Sequence, residues 1–180
     1  TAEALKQVAA PLGIYQQRDG HFMVRVRVNG GQIDCASLAG LADVLEPHLP
    51  GAAFLAPDAP EPCRGGGFGR QWFPIPWIDG SSEAAAAEGL AAAAEDLNGF
   101  LDARLVEEGL TADRLVLMGF SQGAMMSLHV APRRDKQVAG IVAISGRLLR
   151  PDALAVEARV KPPVLLMWIT VSSPTCSTHT

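Results

Sequence analysis

Apolar residues fall into two patterns along this chain. At 21–28, HFMVRVRV, every even position is apolar and the odd ones are polar apart from Met23, which predicts a strand with one wet face. Elsewhere the apolar runs are continuous. AAFLA at 52–56, LVLM at 115–118, VAGIVAI at 138–144 and PVLLMWI at 163–169 read as strands buried on both faces. Helical spacing separates them. Residues 1–10 put Ala2, Leu5, Val8 and Ala9 on one side and stop at Pro11-Leu12-Gly13. After a turn at Asn29-Gly30-Gly31, residues 34–48 line up Leu38, Leu41, Ala42 and Leu45. Ser81-Ser82-Glu83 opens the longest helix, alanine-rich, which runs to about Glu108 and stops at Gly109. A further helix follows residue 121 and ends at Pro132, and 151–158 reads as a short helix or loop. Residues 57–80 form a long loop, and the tail 170–180 has no periodicity and is expected to be unstructured. Buried strands alternating with helices predict an α/β fold, a layered sandwich with a mostly parallel sheet.

Composition narrows the class. At 180 residues the expectation is a single domain spanning 1–180, and 48% apolar with 19% charged residues is ordinary for a globular protein. A net charge of −4 leaves no basic footprint for nucleic acid. No apolar run is long enough for a membrane span. The N-terminal stretch has neither a basic region nor a sustained apolar core, so it does not read as a signal peptide. Cys35, Cys63 and Cys176 are odd in number and widely spaced, and neither they nor the four histidines show metal-ligand spacing. The expectation is a cytoplasmic protein with no metal and no cofactor.

The candidate chemistry sits at 119–123, Gly119-Phe120-Ser121-Gln122-Gly123, the pattern G-x-S-x-G between a strand and a helix. A serine at the tip of so sharp a turn presents its hydroxyl above the sheet, and side chains two before and two after it are expected to collide. The following helix aims free N–H groups at that space, so the N–H of Gln122 is a candidate oxyanion donor. The alternative is a plain turn in which Ser121 caps the helix. In the 57–80 loop, Trp72, Phe73, Ile75, Trp77 and Ile78 offer more apolar surface than a solvated loop needs. They either pack as a satellite core or wall a pocket, with Trp72, Phe73 and Trp77 as the candidate wall. The glycine run 65–69 lacks the sequel of a phosphate cradle, and nucleotide binding is a weak reading.

PHLPGAAFLAPDAPEPC (47–63), GRQWF (69–73), GFSQGAMM (119–126) and VAGIVAISGRLL (138–149), in that order, resemble the bacterial phospholipase/carboxylesterase family of α/β-hydrolases, which includes relatives of acyl-protein thioesterases. The resemblance implies a three-layer α/β-hydrolase sandwich and hydrolysis of small-molecule carboxylic esters or thioesters through an acyl-enzyme on Ser121, with no cofactor. Where the family carries an H-G-x-G turn as second oxyanion donor, this chain reads Asn29-Gly30-Gly31-Gln32, making Gly31 the candidate donor. The family's triad Asp and His would follow the strand that ends near Trp168, and no residue here is assigned to either. His129 lies about 12 Å along the helix from Ser121 at about 1.5 Å per residue and reads as a buried or rim histidine. His21, His48, Asp135, Asp152 and Glu157 have ordinary structural explanations, and His179 is too close to the strand. The match lacks the last strand and helix, and its abrupt loss at both ends is expected to reflect truncation or a frameshift. An exposed sheet edge would then favour a homo-oligomer. The competing reading is an incompetent remnant or acyl-binding module that keeps the pocket without the charge machinery.

Overall fold

The structure, a computed structural model, describes residues 15–18, 21–24, 44–49, 51–62 and 70–168. Tyr15–Arg18 (β1) and His21–Val24 (β2) pair antiparallel, with Arg18 opposite His21. The two residues between them are Asp19 and Gly20, a dipeptide favoured in tight hairpin turns. Sequence reading found the second strand and missed the first. Positions 25–28, the helix at 1–10, the turn at 29–31, the three cysteines and the tail lie outside the described residues. So does most of 34–48, of which Val44 and Leu45 are helical and lead into a 3-10 turn at Glu46–His48.

The buried strand expected at 52–56 does not form. Among the described residues 52–56 join no ladder, and Leu55 is exposed. An apolar run becomes a buried strand only where a neighbour takes its N–H and C=O groups. In the loop expected at 57–80, of which 63–69 lie outside the described residues, the remainder is more structured than expected. Glu61–Pro62 (β3) pairs with Arg70–Gln71 (β4), and the Arg70 guanidinium donates to the carbonyls of Ala59 and, at 2.5 Å, Pro60. Pro76–Asp79 (α1) then makes one helical turn, and Asp79 accepts from the N–H groups of Ile75 (3.1 Å) and Ser81 (2.9 Å).

Glu83–Glu107 (α2) matches the expected long helix. Ser82 caps it, accepting from the N–H of Ala85 at 3.1 Å. Its buried residues, Leu90, Ala93, Leu97 and Leu101, recur every three or four positions and form one stripe against the core. No helix among the described residues is long and apolar enough to cross a membrane.

Val116–Phe120 (β5), Gln122–Val130 (α3), Gly140–Ile144 (β6), Pro151–Glu157 (α4) and Val164–Met167 (β7) follow in sequence. The three strands form a parallel sheet in the order β5-β6-β7, with Val116 opposite Gly140 and Ile141 opposite Val164. Leu117, Ile141 and Ala143 join the main core with Ala124, Met126 and Val130 of α3 and Leu97 of α2. On the other face Val142, Ile144 and Met167 pack with Phe120 and Leu165. Burial on both faces holds for β6 alone. In β5 Val116 is 53% exposed, and in β7 Val164 is 48% exposed. Both are edge strands among the described residues, and α3 packs on β5 and β6. Arg134 ties the end of α3 back to α2 through Asn98 (2.6 Å) and Asp102 (2.5 Å).

Candidate active site

Ser121 occupies the junction between β5 and α3. Its backbone sits at φ 49 and ψ −112, a region that costs a non-glycine residue on the order of 1–3 kcal/mol. The neighbouring strand holds it there, because the N–H of Ser121 donates to Ile144 O at 2.8 Å and extends the β5–β6 ladder by one residue. The first ladder bond of α3 runs from the N–H of Met125 to Ser121 O at 3.1 Å. The N–H groups of Gln122, Gly123 and Ala124 therefore precede the helical ladder and face the space beyond the turn. A capping serine has extended backbone and accepts a hydrogen bond from the helix. Ser121 does neither, and among the described residues its Oγ makes no hydrogen bond. The plain-cap alternative does not describe this residue.

The two pattern glycines are unequal. A Cβ on Gly119 would lie 2.2 Å from the carbonyl carbon of Gly123 and 2.4 Å from the N of Ala124, so the helix crosses directly over a bare α-carbon. A Cβ on Gly123 would meet nothing within 4 Å among the described residues, so the collision expected at both positions exists only at Gly119. A third glycine, which sequence reading did not single out, matters instead. Gly146 follows β6, and a Cβ there would lie 2.4 Å from Ala124 Cβ and 3.1 Å from Ser121 O. The loop after β6 therefore passes against the serine turn. The parallel register creates that approach, and residues so far apart in sequence carry no local signal of it.

The loop leading into α1 flanks the turn as well. Gln122 Oε1 accepts from the N–H of Trp72 at 2.8 Å, and Gln122 Nε2 donates to Phe73 O at 2.7 Å. Of the three candidate wall residues, Trp72 is half-buried beside Gln122. Phe73 is 3% exposed and belongs to the main core rather than to a pocket surface. Trp77 is exposed and carries the Arg147 guanidinium over its ring at 4.7 Å, which links this loop to the one after β6. Trp72 and Ile75 also pack against the main core, while Trp77 and Ile78 are exposed. Gly31 lies outside the described residues.

His129 is buried in α3 with no partner for Nδ1 among the described residues, while its own carbonyl accepts from Arg133 at 2.7 Å. Burial, reinforced by the charge of Arg133, pushes its pKa down to about 4; Glu157 opposes this shift and Arg150 adds to it. It is a core histidine, as its place in the helix implied. An unfolded histidine takes up its proton near pH 6.5, so His129 contributes stability above that pH and loses it as pH falls toward 4. The difference amounts to about 3 kcal/mol. Urea midpoints measured between pH 7 and pH 4.5 are expected to fall steeply for the wild type and much less for His129→Met. Equal slopes would contradict this placement.

A serine strained at the tip of a strand-to-helix turn, on the carboxyl edge of a parallel sheet, is the hallmark of the α/β-hydrolase class. The chain belongs to the phospholipase/carboxylesterase family, whose model matches residues 34–173. It is 37% identical over 86 residues to acyl-protein thioesterase 1 of Schizosaccharomyces pombe, covering 46% of this chain and 38% of that protein. It is 33% identical over 108 residues to acyl-protein thioesterase 1 of Neurospora crassa, covering 53% and 42%. The chain thus spans about two fifths of the length of these relatives. The crystal structure of esterase PE8 superposes with a TM-score of 0.68 at 36% identity, over 75% of this chain and 62% of that one.

Proposed function

We propose that this chain is a serine hydrolase of small-molecule carboxylic esters or thioesters, with Ser121 as nucleophile. Ser121 Oγ attacks the acyl carbonyl and forms an acyl-enzyme as the alcohol or thiol departs; water then attacks the same carbonyl and releases the acid. The N–H of Gln122, together with that of Gly31, stabilises the oxyanion in both halves. Trp72 and Trp77 flank the acyl group. The triad Asp and His are assigned to no residue. The observation that carries the reading is the backbone of Ser121, held at φ 49 without the cap that would explain it structurally. Family membership and the likeness to the thioesterases and esterase above support the choice of bond.

A second reading, an acyl-binding module without turnover, rests on the absence of any hydrogen-bonded base at Ser121 Oγ among the described residues. Release of p-nitrophenol from short-chain esters separates the two. Hydrolysis lost in Ser121→Ala supports the first. Saturable binding of a fatty-acyl probe to folded protein with no turnover supports the second.

A further inference from the structure

We propose that Arg147 makes a carboxylate-recognition site beside the nucleophile, so that the preferred substrates are esters carrying a free carboxylate; the inference rests on the hydrolase reading above. β6 ends at Ile144, and Ser145 to Arg147 run on beyond the carboxyl edge of the sheet, the edge on which Ser121 stands. Gly146 lies against the serine turn, since a Cβ there would be 3.1 Å from Ser121 O and 3.2 Å from the N of Met125. The Cα of Arg147 is one peptide further, about 3.8 Å on. Its guanidinium sits 4.7 Å from the centre of the Trp77 ring. Trp77 belongs to α1, which ends the segment whose residues 72 and 73 bond to Gln122. Both loops that meet in this pair therefore also touch the serine turn.

Arg104, Arg133, Arg134 and Arg159 each neutralise a carboxylate. Arg147 has no acid partner among the described residues and rests its charge on a ring, a contact that contributes little at an exposed site. Asp79, two residues after Trp77, turns its carboxylate to the N–H groups of Ile75 and Ser81. Arg150, the next cation along the loop, acts on His129 and Glu157. A ring against a guanidinium holds the fork in place and leaves its in-plane N–H donors for an anion. One fork matches the single charge and paired oxygens of a carboxylate. A phosphate monoester carries up to about two charges and calls for a second cation.

The test compares Arg147→Gln with the wild type on two pairs of esters. Mono-p-nitrophenyl adipate against p-nitrophenyl hexanoate puts the carboxylate on the acyl side, and 4-carboxyphenyl acetate against phenyl acetate puts it on the leaving side. Within each pair the ratio of kcat/KM values cancels any loss common to both esters. In one pair the charged-to-neutral ratio is expected to fall about tenfold in Arg147→Gln, as for one charge-assisted hydrogen bond. Ratios equal in the two proteins for both pairs would overturn the proposal. If the wild type cleaves none of the four esters, the hydrolase reading falls and the site is judged by binding alone. A saturable shift of the Trp77 indole resonance in NMR on adding adipate, absent in Arg147→Gln, is then expected. No shift in the wild type, a shift that survives the substitution, or tighter binding of inorganic phosphate would overturn the site.

Discussion

Gly119→Ala is expected to remove the cooperative fold of this protein, while Gly123→Ala, four residues on, is expected to leave it intact. The added methyl at 119 would sit 2.2–2.4 Å from three backbone atoms, the carbonyl carbon and oxygen of Gly123 and the N of Ala124. No side-chain rotation relieves such a contact; α3 would have to lift off β5. That helix buries Ala124, Met125, Met126, Leu128 and Val130, so lifting it opens the centre of the core. A cost of about 4 kcal/mol or more follows, at the extreme end of single substitutions and comparable to the whole stability of many domains. At 123 the methyl enters open space on a helical residue, where alanine is favoured over glycine by about 1 kcal/mol. Circular dichroism during thermal melting is expected to show a broad or absent transition for Gly119→Ala and an equal or raised midpoint for Gly123→Ala. Equal midpoints would mean that the turn is not as close as described.

Ser121 should show activity and stability moving in opposite directions. Replacing the nucleophile of a serine hydrolase lowers kcat by on the order of 10⁶ where a base assists it, leaving roughly 10³–10⁴ over water from the oxyanion donors and binding. Ser121→Ala and Ser121→Gly should both lose hydrolysis. Only Ser121→Gly relieves the backbone, because φ 49 and ψ −112 are open to glycine and not to alanine. It is expected to gain about 1 kcal/mol in urea unfolding, whereas Ser121→Ala gains nothing. A serine kept at a position where glycine is more stable is one retained for its hydroxyl. Loss of stability in Ser121→Gly would contradict that account, since it would mean the hydroxyl holds the turn together.

What could be read from sequence was whatever the chain states locally. Ser82 before an alanine-rich run marks a capped helix, Pro132 closes α3, and G-x-S-x-G after LVLM marks the turn. Features set by distant partners were not legible. Residues 52–56 have the composition of a strand, but composition does not say whether a neighbouring strand is there to pair with. The apolar runs of β5 and β7 look alike to that of β6, yet among the described residues β6 is the strand with a ladder on both sides. Gly146 reads as a loop glycine until the β5–β6 register brings it onto Ser121 O. Sequence pattern singled out the N–H of Gln122, whereas its carboxamide, bonded 50 residues away, carried no local signal. The partner that Ser121 Oγ lacks among the described residues belongs to the same group, because a triad is assembled by topology and not by spacing.

The central proposal is that the Ser121 hydroxyl acts as the nucleophile. Intact-mass and peptide mapping after brief exposure of the folded chain to an ethyl-fluorophosphonate tests it most directly. The account predicts one adduct per chain, on the peptide that contains Ser121, absent in Ser121→Ala and after heat denaturation. A folded chain that takes up no reagent, or one modified at another residue, would contradict it.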